Sequence, residues 1–137
     1  MANSFRVLVV DDEEVDRNTI SRILRKHGYD VLEAEGCRDA MAALELNRNA
    51  IDLLVTDISL PDGNGCALAI AVQERKLELR LLLVSGHVGA EVCKFYGLDV
   101  TDLHFLRKPF DEVQLLTSVQ NVLSAQEPFP RVLFLKP

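Results

Sequence analysis

Five short apolar segments alternate with five segments of helical character, and this alternation constrains the fold more than any other feature of the chain. The apolar segments are rich in Val, Leu and Ile, which is typical of buried strands. The predicted strands are Phe5–Val10, Tyr29–Ala34, Ile51–Thr56, Leu79–Val84 and Leu103–Leu106. Helices are predicted from Val15 to His27 and over Cys37–Leu46, Cys66–Arg75, Val88–Tyr96 and Asp111–Ser124. Strands that alternate with helices in this way predict an α/β fold with a doubly wound, five-stranded parallel sheet and flanking helices.

Length, charge and hydropathy exclude several classes of protein. The 137 residues fit one domain with a sizeable core. The net charge of -6 does not indicate a surface that binds nucleic acid. No apolar run approaches the ~18 residues that a membrane span needs. The N-terminal apolar run is short and ends in acids, unlike a signal peptide. We therefore expect a cytoplasmic protein.

The three cysteines, Cys37, Cys66 and Cys93, are widely spaced and form no Cys-x-x-Cys pair. An odd number without a pattern predicts reduced thiols, not a disulfide framework or a zinc site. We expect each to be buried as a small apolar side chain.

Polar side chains stand at the ends of four predicted strands. Asp11 and Asp12 follow the first strand, Asp57 the third, Ser85 the fourth and Lys108 the fifth. The carboxyl ends of parallel strands share one edge of the sheet, where ligands bind in open α/β folds. Each residue alone has an ordinary interpretation, since an acid pair can stabilise a helix dipole and the others can be solvated turn or surface residues. Their joint placement predicts a site.

Carboxylates that converge at one place repel each other unless a divalent cation joins them. Oxygen ligands without His or Cys favour Mg²⁺, with Mn²⁺ as the alternative. Lys108 adds a positive charge suited to a phosphoryl group, to which Ser85 can donate a hydrogen bond. At the end of its strand, Asp57 can be a metal ligand, a nucleophile or both. Because it stands apart from the acid pair, the pattern favours a nucleophile that forms an aspartyl phosphate.

Four stretches of sequence carry a resemblance to a known family: VDDEE at 10–14, DISLPDGNG at 57–65, VSG at 84–86 and KPF at 108–110. Together, over about residues 5–124, they resemble the receiver domain of response regulators in two-component phosphorelay systems. The resemblance implies a flavodoxin-like fold with strand order 2-1-3-4-5. It divides the chain into a receiver domain at 1–124 and a tail, or a linker to an output domain, at 125–137. It further implies a magnesium-dependent signal-transduction phosphoprotein that modifies itself and turns over no external substrate, and so is not an enzyme in the usual sense.

The resemblance also assigns roles to the residues of the site. Asp57 would accept the phosphoryl group from a histidine kinase or a histidine phosphotransfer protein. Lys108 would bridge Asp57 and that phosphoryl group. Asp11 and Asp12 would hold Mg²⁺ together with Asp57 and the backbone carbonyl of Ser59.

Further roles concern switching and the lifetime of the phosphate. Ser85 would swing in to the phosphoryl group, and Phe105 lies where the family keeps a switching aromatic residue. Because Phe105 lacks a hydroxyl group, a switch there is steric. Ser59 and His87 would flank the phosphoryl group and tune its lifetime. The Lys108–Pro109 peptide bond would be cis, and the fourth helix, fifth strand and fifth helix would form the signalling surface.

Two features depart from the family's usual pattern, so the sequence does not identify the downstream effector. The stretch GLDVTDLHF at 97–105 is longer than the usual turn, and Gly89 lies near the start of the fourth helix. The alternative function is a receiver-like interaction module that does not depend on phosphorylation. A phosphatase with an aspartate nucleophile is less favoured, because the acids at 11–13 lack the Asp-x-Asp spacing of that class.

Two segments lie outside this scheme. The third predicted helix is apolar on all sides, so a homodimer or docking contact there is an open alternative. The tail contains Pro128 and Pro130 and then RVLFL at 131–135, which predicts a linker followed by a short strand. That strand would either begin a further domain or pack on an edge of the sheet.

Overall fold

A five-stranded parallel sheet forms the centre of the computed structural model, which describes residues 5–86, 89–126 and 129–132. The strands are β1 (Arg6–Val10), β2 (Asp30–Ala34), β3 (Leu53–Asp57), β4 (Arg80–Ser85) and β5 (Phe105–Arg107). Their order in the sheet is β2-β1-β3-β4-β5, and every neighbouring pair is parallel. This confirms the predicted fold class and strand order.

Five helices connect the strands and cover both faces of the sheet. They are α1 (Glu14–Lys26), α2 (Cys37–Leu46), α3 (Gly65–Glu74), α4 (Gly89–Phe95) and α5 (Glu112–Ser124). Residues of α1 and α5 belong to one buried apolar cluster, and residues of α2, α3 and α4 belong to the other. The connections are therefore doubly wound, with two helices on one face and three on the other.

Alternate residues of each strand supply these two clusters. In β1, Val7 and Val9 pack toward α1 and α5, whereas Leu8 and Val10 pack toward the opposite face. Side chains of successive strand residues point to opposite faces of a sheet, so a strand covered on both faces must be apolar throughout. This is why the sequence shows continuous apolar runs.

Two details of the predicted elements are wrong. The fifth strand begins at Phe105, two residues later than predicted, because Asp102–His104 form a 3-10 turn. Val15 is an apolar residue of the predicted first helix, and the apolar positions of an amphipathic helix are expected on its buried face, but Val15 is 75% exposed. It lies in the first turn of α1, before the buried residues of that helix.

The expectation of reduced thiols is wrong for two of the cysteines. Cys66 of α3 and Cys93 of α4 are joined in a disulfide, with Cα atoms 5.1 Å apart. Both residues are fully buried, as expected. The packing of α3 against α4 creates this proximity, which a separation of 27 residues in the sequence does not reveal. Cys37 is a free, half-buried cysteine, and burial raises the pKa of its thiol, as does the neighbouring charge of Asp62.

The described part of the tail returns to the domain. Phe129 is partly buried against the core, and Arg131–Val132 pair in antiparallel fashion with Leu98–Asp99. The partner is thus the segment after α4, not an edge strand of the central sheet. Residues 133–135 of the predicted strand RVLFL lie outside the described residues. Among the helices of the described ranges, none is long and apolar enough to cross a membrane.

Candidate functional site

The ammonium group of Lys108 contacts three carboxylates at the carboxyl edge of the sheet. Its Nζ donates hydrogen bonds to Asp57 Oδ2 at 3.1 Å and to Asp11 Oδ2 at 3.3 Å. The third acceptor is Asp16 Oδ2 in the first turn of α1, at 3.0 Å. The segment from the end of β1 to the first turn of α1 and the end of β3 therefore meet at the side chain of Lys108.

Backbone hydrogen bonds fix where these groups stand. The Asp11 amide donates to the Ala34 carbonyl at 3.2 Å, which extends the pairing of β1 with β2 past the end of the strand. The Lys108 amide donates to the Ser85 carbonyl at 2.8 Å, which joins the ends of β4 and β5. Lys108 therefore reaches back along the sheet edge toward Asp57.

The acids differ in burial, and burial controls their electrostatics. The side chain of Asp11 is only 1% exposed, and its desolvation raises the pKa of its carboxyl group although Lys108 opposes the shift. Burial by itself would lower the pKa of Lys108. Its hydrogen bond to Asp16 and the charges of Asp11 and Asp57 more than offset burial and raise that pKa above its ordinary value. Lys108 is therefore charged at neutral pH.

Asp11, Asp12 and Asp57 form a group that can hold a cation. One carboxylate oxygen from each lies within 4.8 Å of the others. Opposite ligands of an octahedral Mg²⁺ are about 4.2 Å apart, so small side-chain adjustments bring these oxygens into its coordination sphere. Asp12 is exposed, which leaves room for the waters that Mg²⁺ retains. The set is all oxygen and fits Mg²⁺ better than a softer metal.

A tight hairpin shapes the exit from Asp57. Ser59–Leu60 pair in antiparallel fashion with Gly63–Asn64, and the Gly65 amide donates to the Ile58 carbonyl at 2.8 Å. A Cβ atom at Gly65 would overlap the backbone oxygen of Asp57. Only glycine lets the start of α3 pass so close to Asp57. Ser59 is exposed beside it, and its amide lies 3.3 Å from Asp57 Oδ1.

Asp62 ties this hairpin to α2. Its carboxylate accepts hydrogen bonds from the backbone amides of Cys37 at 2.7 Å and Arg38 at 3.0 Å. These amides open α2 and have no partner within the helix, so Asp62 caps it from a distant loop. The same hydrogen bonds, that of Arg38 first, lower the pKa of Asp62. Sequence reasoning missed this contact because it joins residues that are far apart in the chain.

The predicted switch residues lie at the end of β4 and at the start of β5. Ser85 is buried at the end of β4, and a Cβ atom at Gly89 would stand 2.7 Å from its Oγ, so the first turn of α4 packs directly on Ser85. Phe105 is half-buried and packs against the apolar cluster on the α2–α4 face. The Lys108–Pro109 peptide bond is cis. His87 lies outside the described residues.

Asp16 is the site residue that sequence reasoning did not single out. Its signal was weak, because acids are common in the first turn of a helix. In the structure its carboxylate accepts a hydrogen bond from Lys108 Nζ, a contact between residues 92 positions apart that no local pattern indicates.

Comparisons with known proteins agree with this geometry. A family described as the response regulator receiver domain matches residues 7–120. The chain is 35% identical over 118 residues to the aerobic respiration control protein ArcA of Escherichia coli, a match that covers 86% of this chain and 48% of ArcA. It is 29% identical over 127 residues to the sensor kinase CckA of Brucella abortus, covering 93% of this chain and 13% of CckA.

A solved structure shares the fold. A putative response regulator from Chloroflexus aurantiacus superimposes with a TM-score of 0.74 at 25% identity, and the match covers 90% of this chain and all of that one. By contrast, the chain spans about half the length of ArcA and a small fraction of CckA. The similarity to these two therefore concerns one domain of each.

Proposed function

This chain belongs to the response regulator receiver domain family of two-component signalling, and from that membership we propose that it is a phosphoacceptor switch with Asp57 as the accepting residue. Receiver domains interact with histidine kinases or phosphotransfer proteins, and one of these would be the donor. The observation that carries the proposal is the hydrogen bond of Lys108 Nζ to Asp57 Oδ2, beside an acidic group that suits Mg²⁺.

The chemistry follows from the positions of the charges. A carboxylate oxygen of Asp57 attacks the phosphorus of a phosphohistidine, the P–N bond breaks, and the imidazole leaves with a proton from solvent. Lys108 stays bound to the carboxylate and offsets negative charge that accumulates on the phosphoryl oxygens. Asp11, Asp12, Asp57 and the Ser59 carbonyl would hold Mg²⁺, which would supply further charge neutralisation. The protein itself is the acceptor and keeps the phosphoryl group, and no external substrate would be turned over, so the domain would not be an enzyme in the usual sense.

Two groups would pass the modification to the protein surface. The Ser85 hydroxyl would turn to donate a hydrogen bond to the phosphoryl group. Because Gly89 packs on Ser85, that movement would shift the start of α4, and Phe105 would move inward into the space that opens. The surface formed by α4, β5 and α5 would then bind a downstream effector.

The finer assignments complete the proposal. Ser59 is exposed beside Asp57 and would tune access of water to the phosphoryl group, and so the lifetime of the modification, with His87 in the same role. Residues 1–124 would be the receiver domain, and residues 125–137 would be a tail or linker. The absence of a membrane-spanning helix among the described residues is compatible with a cytoplasmic location.

The proposal is tested by incubation with acetyl phosphate and Mg²⁺, followed by intact-mass spectrometry. We expect a gain of one phosphoryl group that requires the metal and is lost in Asp57→Asn. Asp52→Asn is the matched control, because Asp52 is a half-buried acid at the opposite end of β3. If the folded wild-type chain gains no mass, the domain is instead an interaction module that does not depend on phosphorylation.

A further inference from the structure

The three hydrogen bonds of the Lys108 ammonium group limit what it can do next. An ammonium group has three N–H donors, and the contacts with Asp16, Asp57 and Asp11 use all of them. A phosphoryl oxygen that binds Lys108 must therefore displace one of the present acceptors. Which carboxylate is displaced depends on the free-energy cost of separating each one from Lys108.

The three carboxylates are not equivalent in this respect. The side chain of Asp11 is 1% exposed, so water could not replace Lys108 at the Asp11 oxygen that accepts its hydrogen bond. Asp57 becomes part of the phosphorylated group itself. Asp16 is 47% exposed, so water can replace Lys108 as its partner. A cleft of about 150 Å³, lined by both Asp16 and Lys108, opens on that side and admits water.

Asp16 is also separate from the cation site. The carboxylates that can hold a metal are those of Asp11, Asp12 and Asp57, and Asp16 is not among them. Among the described residues, the only ion pair of Asp16 is with Lys108. Within the described residues, its direct ionic contact with the site is therefore through Lys108.

From these contacts we infer that Asp16 is a positioning residue that competes with the phosphoryl group for Lys108. In the unmodified protein it holds the ammonium group on the α1 side of Asp57. On phosphorylation Lys108 exchanges Asp16 for a phosphoryl oxygen, and Asp16 turns to solvent. This competition lowers the affinity of the site for a phosphoryl group. Neutralisation of Asp16 should therefore raise that affinity. This inference rests on the proposed function of Asp57 and adds a control on that same site.

The experiment measures binding of beryllofluoride, a tetrahedral anion that mimics a phosphoryl group on a carboxylate, by calorimetry in saturating Mg²⁺. Asp16→Asn should bind it roughly two- to five-fold more tightly than wild type, the range typical of an exposed ion pair. The gain should shrink at high salt, because exposed charges are screened. Asp16→Glu keeps the charge and should restore wild-type affinity. A purely structural role for Asp16 would weaken binding in Asp16→Asn.

Glu14→Gln is the matched control. Glu14 is an exposed acid in the same helical turn, and it has no ion pair among the residues that the structure describes. Glu14→Gln changes the net charge by the same amount as Asp16→Asn and should leave the affinity for beryllofluoride unchanged. Equal gains in Glu14→Gln and Asp16→Asn, or no gain in Asp16→Asn, would overturn the inference while the proposed function stands. Absence of beryllofluoride binding in wild type would overturn both.

Discussion

Neutralising the buried acid of the site should stabilise the metal-free protein. Asp11 is 1% exposed and lies 3.3 Å from Lys108, an attraction of roughly 5 kcal/mol at an effective dielectric constant of about 20. The oxygens of Asp12 and Asp57 lie within 4.8 Å; Asp57 repels Asp11 by roughly 3.5 kcal/mol on the same scale, and the exposed Asp12 repels it by less because water screens its charge. Desolvation of Asp11 is the largest effect and adds to this repulsion, so the charged form of Asp11 is disfavoured although Lys108 attracts it. We expect Asp11→Asn to raise the free energy of unfolding by about 1–2 kcal/mol at neutral pH without metal.

The effect of Asp11→Asn on stability depends on pH, because folding shifts the pKa of Asp11. Folding raises the pKa of Asp11 above its ordinary value of 3.8, so the folded protein binds this proton more tightly than the unfolded chain. Stability from this group is therefore fully present below pH 3.8 and is lost as the pH rises through the folded pKa. The advantage of Asp11→Asn should accordingly diminish as the pH falls toward 3.8, because the carboxyl group of Asp11 takes up its proton at a higher pH in the folded protein than in the unfolded chain.

Urea unfolding followed by circular dichroism suits the measurement, since the chain has no Trp. In saturating Mg²⁺, wild type should instead be more stable than Asp11→Asn. At a metal concentration a hundred times the dissociation constant, wild type gains about 2.7 kcal/mol in its free energy of unfolding, and the variant gains less because it lacks one ligand. Asp12→Asn is the control. Because the carboxylate of Asp12 is exposed, this variant should gain less stability than Asp11→Asn without metal, but it should lose a similar part of the stabilisation by Mg²⁺. A destabilised Asp11→Asn in metal-free buffer at neutral pH would refute the electrostatic reasoning.

Four further substitutions test the scaffold around the site. Asp111→Ala removes the carboxylate that accepts the amide of the third helical residue of α5 at 2.8 Å, and should cost about 1 kcal/mol in urea unfolding. Leu115→Ala empties a fully buried position and should cost about 2–5 kcal/mol, whereas Val113→Ala, 71% exposed in the same helix, should change stability by less than about 0.5 kcal/mol. Gly65→Ala pushes a methyl group against the backbone of Asp57 and should slow phosphorylation by acetyl phosphate on the order of 100-fold, as mass spectrometry would show.

The sequence predicted the sheet and most of the site because both depend on local patterns. Short apolar runs rich in Val, Leu and Ile that alternate with helices are typical of strands covered on both faces, and the residues after such strands lie at the ligand-binding edge. The sequence therefore predicted that Lys108 and the acids Asp11 and Asp57 lie at one edge of the sheet. The structure brings them within hydrogen-bonding distance.

Contacts between distant surface segments were not predictable in this way. Asp62 caps α2 from a loop 24 residues further along the chain, and no periodic pattern connects the two. The disulfide of Cys66 and Cys93 depends on how closely α3 and α4 pack, which hydrophobic patterning does not specify. Asp16 resembled any acid in a first helical turn until its distance to Lys108 was known.

The most direct test of the phosphoacceptor assignment is to locate the modified residue. Borohydride reduces an aspartyl phosphate to homoserine, and peptide mass spectrometry then identifies the position. After incubation with acetyl phosphate and Mg²⁺, we predict homoserine at position 57 and nowhere else, with none formed when the metal is chelated. Homoserine at position 11, 12 or 16, or a modification that survives in Asp57→Asn, would contradict the account.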